Sequence, residues 1–476
     1  MATPIPTNEA AFTLGEVRRV CGALPNAAAL SLGDSASFCG VGTDTRAGLQ
    51  RKLFVALSGE RFDAHDYLSE AFAAGATCAL VERDVETTLP TLRVDSTLDA
   101  LGALGHAHRA RWGKRVVAVA GSAGKTTTRS LTAALLLRLR GGRVHFPLGN
   151  LNNRVGVPMV LFGLQSEHEL LVVEIGTNRT GEVEALAKIC VPSVGILTLI
   201  DLEHTEGLGG LDSIEAEEGA LLRYTKDVAI GNGDDERVRR QILAASVPHK
   251  VLYGYAENND YCVRGATLER SSEGFLMRVQ LHRPDRSELW FRTPFLGKPG
   301  VLASVAAVAT AEALSGAWLS PEQVEPAFAE PDARQGGRLQ PLVLRDGTVV
   351  IDDSYNANPS SVLAGLEFAA ELAALQGARL HAVLGEMREL GSMAEAEHKK
   401  IGEALNRFPL ASLIAVSGAA RHFVSPGVPN SYFVGNSDQA LQTLRSELRP
   451  GDVVLVKASR GVGAERVVHG LSGGTQ

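Results

Sequence analysis

The sequence has little of what membrane, secreted and nucleic-acid-binding proteins need. It contains no uninterrupted apolar run of about 18 residues, which a membrane-spanning helix requires, and its first residues show no secretory signal pattern. Its five cysteines are scattered without CxxC spacing, which is typical of small buried side chains in a reducing compartment. Basic residues number 47 against 54 acidic ones, with no positively charged cluster. These absences predict a cytoplasmic protein that inserts into no membrane and binds no nucleic acid.

What the sequence does contain is typical of a multi-domain α/β enzyme. Its 476 residues correspond to about three domains of ordinary size. Hydrophobic residues make up 45% and charged residues 21%, which is a globular composition rather than a disordered one. Aromatic residues are only 5% while glycine occurs 50 times, which favours repeated strand–helix turns over an all-β sandwich.

The pattern of apolar runs divides the chain into three α/β domains. Residues 1–95 mix short β-rich runs with one helical stretch, which predicts a small N-terminal domain. Residues 96–333 contain unbroken Val/Ile/Leu runs separated by helix-period segments, which predicts a doubly wound domain with a buried parallel sheet. Alternating residues at about 251–293 predict an antiparallel extension of that domain. Residues 334–476 repeat the strand–helix alternation and predict a Rossmann-like third domain.

The strongest motif follows the first strand of the middle domain, RVVAVAG. Glycines at 121 and 124 permit the positive φ angles that turn backbone amides inward, and a helix predicted to start at Lys125 adds the partial charge of its N-terminus. Lys125 can neutralise phosphate oxygens, and the Thr126 hydroxyl can bind Mg²⁺. The motif therefore predicts a P-loop for ATP, although its GxxGKT spacing is shorter than usual. The residues of this loop are Gly121, Ser122, Ala123, Gly124, Lys125, Thr126 and Thr127.

Two other polar residues are expected at the same sheet edge. Glu174 ends the apolar run 169–176, and His204 follows the next run, 193–200. Ligands of open α/β sheets collect at the carboxyl ends of the strands, and a carboxylate among apolar residues needs a partner. We therefore expect Glu174 to bind Mg²⁺ together with Thr126. The alternatives are a salt-bridged strand-end Glu174 and a surface His204.

These motifs together resemble the Mur ligases, the ATP-dependent amide-forming enzymes of peptidoglycan assembly. The resemblance covers almost the whole chain: 43–46 and 54–67 are similar to the uridine-nucleotide-binding first domain, and 121–127 to the family's phosphate loop. The most discriminating segments are DDSYNANPSS (352–361) and VLGEMRELG (383–391). They resemble the family members that join D-alanyl-D-alanine to UDP-N-acetylmuramoyl-tripeptide. The resemblance implies an acyl-phosphate intermediate, ATP as phosphate donor and two Mg²⁺ ions.

The resemblance also implies roles for single residues. Thr126, Glu174 and His204 would bind the metal ions, and Arg338 would reach the γ-phosphate from the third domain. Asp352 and Asn356 would lie near the nucleotide, and the alternative for this segment is an Asn-Pro turn after a buried strand. Surface charge is the alternative for Arg338 and Lys457. The residues implied to contact the peptide substrates are Thr45, Arg46, Asn152, Asn153, Asn358, Lys457, Ser459 and Arg460.

Three departures from the family pattern bear on these expectations. Glu218 stands where the family normally places a carbamylated lysine, and we expect its carboxylate to replace the carbamate as a catalytic group. The alternative is that Glu215, Glu217 and Glu218 decorate a solvated helix. The family's G-x-H-N-x-x-N pattern, which contacts adenine, is lost, and the corresponding residues are Pro299, Gly300 and Ala303. Ala458 replaces a glycine in the usual Lys-Gly-Ser-Arg turn.

Two other functions remain open at this point. The first keeps the fold and changes the substrate, as in another Mur-type ligase or a folylpolyglutamate-synthetase-like enzyme. The second is a nucleotide-binding relative without ligase activity, which the substitutions at Glu218 and on the adenine side keep possible. In each case we expect a monomer.

Overall fold

The computed structural model describes residues 6, 8–59, 62–272, 274–330, 336–424 and 427–473. Within these ranges the predicted α/β architecture is confirmed: the main sheets have five, nine and six strands and succeed one another along the chain. The predicted boundary between residues 333 and 334 lies outside the described residues. No helix in the described ranges is both long and apolar enough to cross a membrane.

The first segment is built on a five-stranded sheet in the order β2-β9-β8-β5-β4, which is parallel except for the antiparallel pair β2–β9. Two shorter pairs, β1–β3 and β6–β7, are antiparallel. The elements of this segment are β1 (Ala11–Thr13), α1 (Leu14–Cys21), β2 (Leu24–Pro25), α2 (Ala27–Leu32), β3 (Ser37–Cys39), β4 (Val41–Gly42), β5 (Leu53–Val55), β6 (Ser58–Gly59), β7 (Phe62–Asp63), α3 (Leu68–Ala73), β8 (Cys78–Val81) and β9 (Thr91–Arg93).

The middle segment is built on a nine-stranded sheet in the order β11-β12-β10-β13-β14-β15-β16-β17-β18. Its first seven strands are parallel and the last pairs are antiparallel, so the predicted antiparallel extension is confirmed and continues the same sheet. The elements are α4 (Thr97–Trp112), β10 (Arg115–Ala120), α5 (Lys125–Leu139), β11 (Val144–His145), α6 (Gly156–Phe162), β12 (Leu170–Glu174), α7 (Glu182–Cys190), β13 (Val194–Leu197), α8 (Thr205–Leu208), α9 (Leu211–Tyr224), β14 (Val228–Asn232), α10 (Glu236–Ala244), β15 (His249–Gly254), β16 (Tyr261–Ser271), β17 (Gly274–His282), β18 (Glu288–Thr293), α11 (Gly297–Ser315) and α12 (Pro321–Ala329).

The third segment is built on a six-stranded sheet in the order β19-β20-β24-β21-β22-β23. It is parallel except for β19, which pairs antiparallel with β20. The elements are β19 (Gln340–Val343), β20 (Val349–Asp353), α13 (Pro359–Gln376), β21 (Leu380–Gly385), α14 (Ala394–Leu405), β22 (Leu410–Val416), β23 (Ser431–Val434), α15 (Ser437–Glu447), β24 (Val453–Lys457) and α16 (Glu465–Leu471).

Two predicted elements have different lengths in the structure. The strand predicted over 193–200 ends at Leu197, because Leu199 turns away and its carbonyl accepts a hydrogen bond from the Ser122 amide (2.7 Å). The apolar residues of 301–314 predict a helix, and in the structure that helix begins earlier, at Gly297. Pro299 does not prevent this, because the first turn of a helix needs no donated backbone hydrogen bond.

Helix α11 joins the middle and third sheets through a shared apolar core. Its residues belong to the same buried cluster as residues of α13, and Phe368 of α13 lies against its first turn. A Cβ at Gly297 would come within 3.1 Å of the Phe368 Cβ, and the residue has a φ of +65°. Glycine is therefore required at this close approach, which places the third sheet beside the carboxyl edge of the middle sheet.

Candidate active site

The phosphate loop has the conformation that its glycines predict. Gly121 has a φ of +122° and Gly124 a φ of +84°, and α5 begins directly afterwards at Lys125. The N-cap residue of this helix, Gly124, has no side chain that could cap it, which leaves the first amides available to an anion. The Ser122 hydroxyl donates to the Asp201 carbonyl and accepts from the Asp201 amide, both at 2.9 Å, which fixes the loop to the segment after β13.

The Lys125 ammonium lies over the loop and faces three carboxylates. It donates to the Gly121 carbonyl at 2.5 Å and to Glu203 Oε1 at 3.1 Å. Burial alone would lower the pKa of Lys125, but attraction to Glu203, Glu218 and Glu174 raises it above its ordinary value. Lys125 therefore carries its charge where a phosphate would bind, and such a ligand would compete with Glu203 for it.

Glu203 is a site residue that the sequence analysis missed. Only 7% of the residue is exposed, it lies in the cleft beside the loop, and its Oε2 lies 3.9 Å from His204 Nε2. Burial raises the pKa of Glu203, while Lys125 and His204 counteract that rise. The sequence feature that could have identified Glu203 is its position directly before His204, just after the apolar run 193–200.

Glu174 ends β12 in parallel register with Val119 of β10, which places its carboxylate at the carboxyl edge of the sheet. Its Oε1 accepts a hydrogen bond from Asn152 Nδ2 at 2.7 Å. Its Oε2 is buried and has no partner in the described part of the chain, and there the residue forms no salt bridge. The salt-bridge interpretation is therefore wrong. An unpartnered, buried carboxylate oxygen in a phosphate cleft fits a hard cation.

His204 lies in the cleft, and the interpretation as an isolated surface residue is wrong. Its backbone is left-handed (φ +48°), and its Nδ1 lies 2.5 Å from Oε2 of Glu389, a residue of the third segment. Burial alone would lower the pKa of His204, but the hydrogen bond to Glu389 and the charge of Glu203 raise it. Residues of two sheets therefore meet at this imidazole.

Glu218 lies beneath the phosphate loop and is fully buried. Its Oε2 accepts a hydrogen bond from the Gly121 amide at 2.7 Å, and its Oε1 has no partner among the described residues. Burial raises the pKa of Glu218 to about 7, although Lys125 counteracts the rise. The solvated-helix interpretation is wrong, because Glu215 and Glu217 are also buried and hydrogen bonded. Glu218 is not part of the cleft wall.

Arg338 reaches the phosphate loop from the third segment. Its Nη2 donates to Thr126 Oγ1 at 3.0 Å, so the interpretation as surface charge is wrong. The turn that carries it has positive φ on both sides, +77° at Gly337 and +47° at Leu339. The Leu339 amide donates to Asp353 Oδ1 at 3.2 Å, which ties this turn to the end of β20.

Lys457 is 2% exposed and paired inside the third segment, so it is not a surface charge either. Its Nζ donates to Asp353 Oδ2 at 2.6 Å and to the Asn356 carbonyl at 3.0 Å. Burial raises the pKa of Asp353, and Lys457 counteracts that rise. Asp353 faces the cleft, whereas Asp352 does not line it and accepts instead from the Ser354 hydroxyl at 2.6 Å. Sequence analysis selected the wrong member of this pair as the cleft residue, because successive side chains of a strand point to opposite faces.

The other residues implied to contact substrate fall into two places. Thr45 and Arg46 lie on a short turn of the first segment outside the cleft, where Arg46 is exposed and paired with Asp44 at 2.7 Å. The rest line the cleft, namely Asn152, Asn153, Asn356, Asn358, Ser459 and Arg460. The Asn358 side chain also caps α13, because its Oδ1 accepts from the Ser361 amide at 3.0 Å.

The groups that face the cleft surround one cavity of about 1,100 Å³ between the middle and third segments. The residues of the lost adenine motif, Pro299, Gly300 and Ala303, also line it, together with Phe275 and Phe295. In the described residues no three His, Cys, Asp or Glu side chains converge on one point as a ready metal centre. A cation here would therefore need oxygen atoms from its phosphate ligand as well.

Comparisons with known proteins agree with this geometry. The model of the Mur ligase middle domain matches residues 119–311, and that of the Mur ligase, glutamate ligase domain matches residues 337–460. A UDP-N-acetylmuramoyl-tripeptide–D-alanyl-D-alanine ligase of Bacillus subtilis is 33% identical over 91% of this chain and 93% of its own. The Escherichia coli protein of the same name is 32% identical over 90% and 93%. The chain is a Mur ligase.

Solved structures extend the similarity of this Mur ligase to the whole fold. A crystal structure of MurF from Acinetobacter baumannii superposes with a TM-score of 0.85 at 29% identity, covering 99% of this chain and all of the other. MurF from Thermotoga maritima, solved in complex with ADP, has a TM-score of 0.80 at 24% identity, covering 91% and 97%, and shows the same fold. The predicted three-domain architecture is thereby confirmed.

Proposed function

We propose that this Mur ligase joins D-alanyl-D-alanine to the peptide carboxylate of UDP-N-acetylmuramoyl-tripeptide, with release of ADP and phosphate. The observation that carries the proposal is the contact between Arg338 and Thr126, which brings a cation of the third segment onto the phosphate loop. The ligases of Bacillus subtilis and Escherichia coli that are named for these two substrates, each matched over more than nine-tenths of its length, support the same substrates here. The ADP complex of the Thermotoga maritima protein supports ATP as the phosphate donor.

The chemistry requires activation of the carboxylate before the amine can attack. The tripeptide carboxylate oxygen attacks the γ-phosphorus, the bond to ADP breaks, and an acyl phosphate forms. The dipeptide amine then attacks the acyl carbon, loses a proton, and inorganic phosphate leaves. Both steps rely on positioning and on neutralising negative charge, which is the role we assign to Lys125 and Arg338 on the transferred phosphoryl group.

The residues present fit a Mg²⁺ site on the phosphate side of the cleft. Thr126 offers a hydroxyl and Glu174 a buried, unpartnered carboxylate oxygen, and both line the same cavity. We assign these two residues to one Mg²⁺ and His204 with Glu174 to a second. When bound, such ions neutralise phosphate charge and orient the oxygens of the in-line transfer. His204 can take this role through Nε2, because a metal-binding histidine typically donates its other ring N–H to a carboxylate, and here Nδ1 lies 2.5 Å from Oε2 of Glu389.

The two peptide substrates are assigned to opposite walls. We assign the dipeptide to the third-segment wall, where Asn358, Ser459 and Arg460 face the cavity and Lys457 fixes the loop through the Asn356 carbonyl. We assign the nucleotide-linked tripeptide to Asn152 and Asn153, with Thr45 and Arg46 of the first segment outside the cavity toward its uridine end. We place the reaction in the cytoplasm, where ATP is available, and propose a monomer.

Glu218 is proposed to act without bicarbonate. The Glu218 side chain lies beneath Lys125 and accepts a hydrogen bond from the Gly121 amide, so we propose that no carbamate is needed at this position. Because Glu218 is absent from the cavity wall, we propose that it acts on the loop, rather than directly on the substrate.

An amide-ligation assay tests the proposal. The two peptide substrates, ATP and Mg²⁺ should give ADP and the pentapeptide product at equal rates with and without bicarbonate. Other Mur substrates and a folate with glutamate serve as competing acceptors. ADP release with one of those and not with D-alanyl-D-alanine would contradict the proposed specificity. ATP binding without phosphate release in a single turnover would instead identify a non-catalytic relative.

A further inference from the structure

The aromatic ring of Tyr355 contacts two of the three arginines that line the cavity from the third segment, Arg338 and Arg460. Arg338 Cζ is 4.4 Å from the ring centroid, and Arg460 Cζ is 5.3 Å from it. A guanidinium over the face of a ring is attracted electrostatically within about 6 Å, and its flat shape allows it to stack. The side chain of Tyr355 therefore contacts both cations at once.

The backbone of Tyr355 contacts the turn that carries Arg338. Its amide donates to the Gly337 carbonyl at 3.1 Å. A Cβ at Gly337 would lie 3.2 Å from both the Cβ and the amide nitrogen of Tyr355, so only glycine fits without displacement. The ring and the turn that carries Arg338 are therefore held at a fixed separation.

The Arg338 guanidinium has few other contacts that could orient it. Its Nη2 reaches Thr126, while its Nε is buried and has no partner in the ranges that the structure describes. An arginine side chain loses considerable rotamer freedom when it is fixed in one direction. The Tyr355 ring face, 4.4 Å from Cζ, therefore restricts this guanidinium to the direction of the phosphate loop.

We propose that Tyr355 is a positioning residue, whose ring face holds Arg338 on the phosphate loop while Arg460 steadies the ring. The proposal rests on the ligase function proposed above and adds a residue to it. The ring face is the part that acts, and the hydroxyl is not needed. Tyr355 works through Arg338 and touches no reacting atom itself.

Three variants separate the ring from the hydroxyl. Tyr355→Leu should lower kcat about tenfold, because it removes a partly desolvated cation–π contact, whereas Tyr355→Phe should stay within about twofold of wild type. Trp290→Leu is the matched control, since Trp290 stacks with Arg278 at 4.9 Å outside the cavity, and it should leave kcat unchanged. Because Tyr355 is half-buried, we expect the leucine variant to fold. If the melting temperature of Tyr355→Leu falls below that of wild type, Tyr355→Met is used in its place.

Nucleotide affinities give a readout that is independent of ligation. Arg338 is assigned to the γ-phosphate, so Tyr355→Leu should weaken ATP binding about fivefold and leave ADP binding unchanged, as measured by calorimetry with Mg²⁺. In an Arg338→Ala background, adding Tyr355→Leu should weaken ATP binding by less than about a further twofold. The reason is that Arg338, through which Tyr355 acts, is already absent. Three results would overturn the proposal. The first is an equal loss of kcat in Tyr355→Phe and Tyr355→Leu, and the second is an unchanged ATP-to-ADP affinity ratio in Tyr355→Leu. The third is a full further loss of ATP affinity when Tyr355→Leu is added to Arg338→Ala. An inactive wild type with an altered affinity ratio in Tyr355→Leu would instead count against the ligase function alone.

Discussion

The carboxylate of Glu218 accepts a hydrogen bond from the amide of Gly121 at 2.7 Å, which anchors the first glycine of the phosphate loop to α9. The two residues are 97 positions apart in sequence. The second carboxylate oxygen is buried without a partner in the described chain, and the nearest cation that stabilises the charge is Lys125. The loop geometry and the charge beneath it therefore depend on one side chain.

Glu218→Ala should lower kcat at least tenfold, because both the loop anchor and the charge that balances Lys125 are lost. Wild-type activity should not respond to added bicarbonate or to its removal. Glu184→Ala, at a half-buried helix position outside the cavity, is the control and should behave as wild type. A Glu218→Ala enzyme with unchanged kcat would show that the carboxylate is dispensable.

The same residue predicts a pH-dependent stability. The pKa of Glu218 is raised by burial to about 7 in the folded chain, above its ordinary value of 4.5. Its contribution to stability is therefore complete below pH 4.5 and is lost as pH rises through 7. Glu218→Gln keeps an acceptor for the Gly121 amide and cannot ionise, so above pH 7 it should be more stable than wild type by about 2–3 kcal/mol. Urea unfolding of both proteins without nucleotide at pH 5 and pH 8 measures this difference in the free energy of unfolding. The same difference between variant and wild type at both pH values would contradict the prediction.

Local features of the site could be predicted from the sequence, and long-range ones could not. The phosphate loop depends on neighbouring residues, and its positive φ angles at Gly121 and Gly124 agree with the prediction. Glu174 and His204 were placed at the correct edge because parallel strands end together. The hydrogen bond between Glu218 and Gly121 depends on how α9 packs under β10, which no local pattern encodes.

The segment at the end of β20 shows a second limit of sequence analysis. Alternation along a strand predicts that one of Asp352 and Asp353 faces the cavity, but not which one. The choice depends on the packing of β20 between β19 and β24, and the pair of Lys457 with Asp353 shows the outcome. Glu203 was missed for a similar reason, because its partner Lys125 lies 78 positions away at the start of α5.

Glu203→Gln should tighten ATP binding. In the structure Glu203 is paired with the Lys125 ammonium at 3.1 Å, so a triphosphate must displace this carboxylate. Removing its charge should lower the Kd for ATP about threefold to tenfold, as expected for losing a partly buried competing ion pair. Glu215→Gln changes a buried carboxylate that pairs with Arg240 outside the cavity and should leave the Kd unchanged. Calorimetry with ATP and Mg²⁺ checks both, and weaker binding by Glu203→Gln would show that this carboxylate assists the nucleotide.

Protonation of His145 should make the protein less stable in mild acid. Burial and, to a smaller extent, the nearby His168 together lower the pKa of His145 to about 4. Its contribution to stability is present above the unfolded pKa of 6.5 and is lost as pH falls toward 4, by about 3 kcal/mol in all. His145→Gln should remove that part of the pH dependence between pH 7 and pH 5 in urea unfolding. His249→Gln, at an exposed position, is the control and should leave the slope as in wild type.

Lys125→Ala should slow ligation about 10²- to 10³-fold and leave the binding of the peptide substrates intact. The ammonium is the only lysine placed over the phosphate loop among the described residues, and it lies on the helix N-terminus where charge develops during transfer. Removing such a preorganised cation costs about 10²- to 10³-fold in kcat. Lys114→Ala is the control, because Lys114 binds the carbonyls of Ser166 and His168 away from the cavity. ADP release measured with both substrates gives the rates, and calorimetry with the nucleotide-linked tripeptide gives its affinity. A Lys125→Ala enzyme that forms product at the wild-type rate would place the phosphoryl transfer elsewhere in the protein.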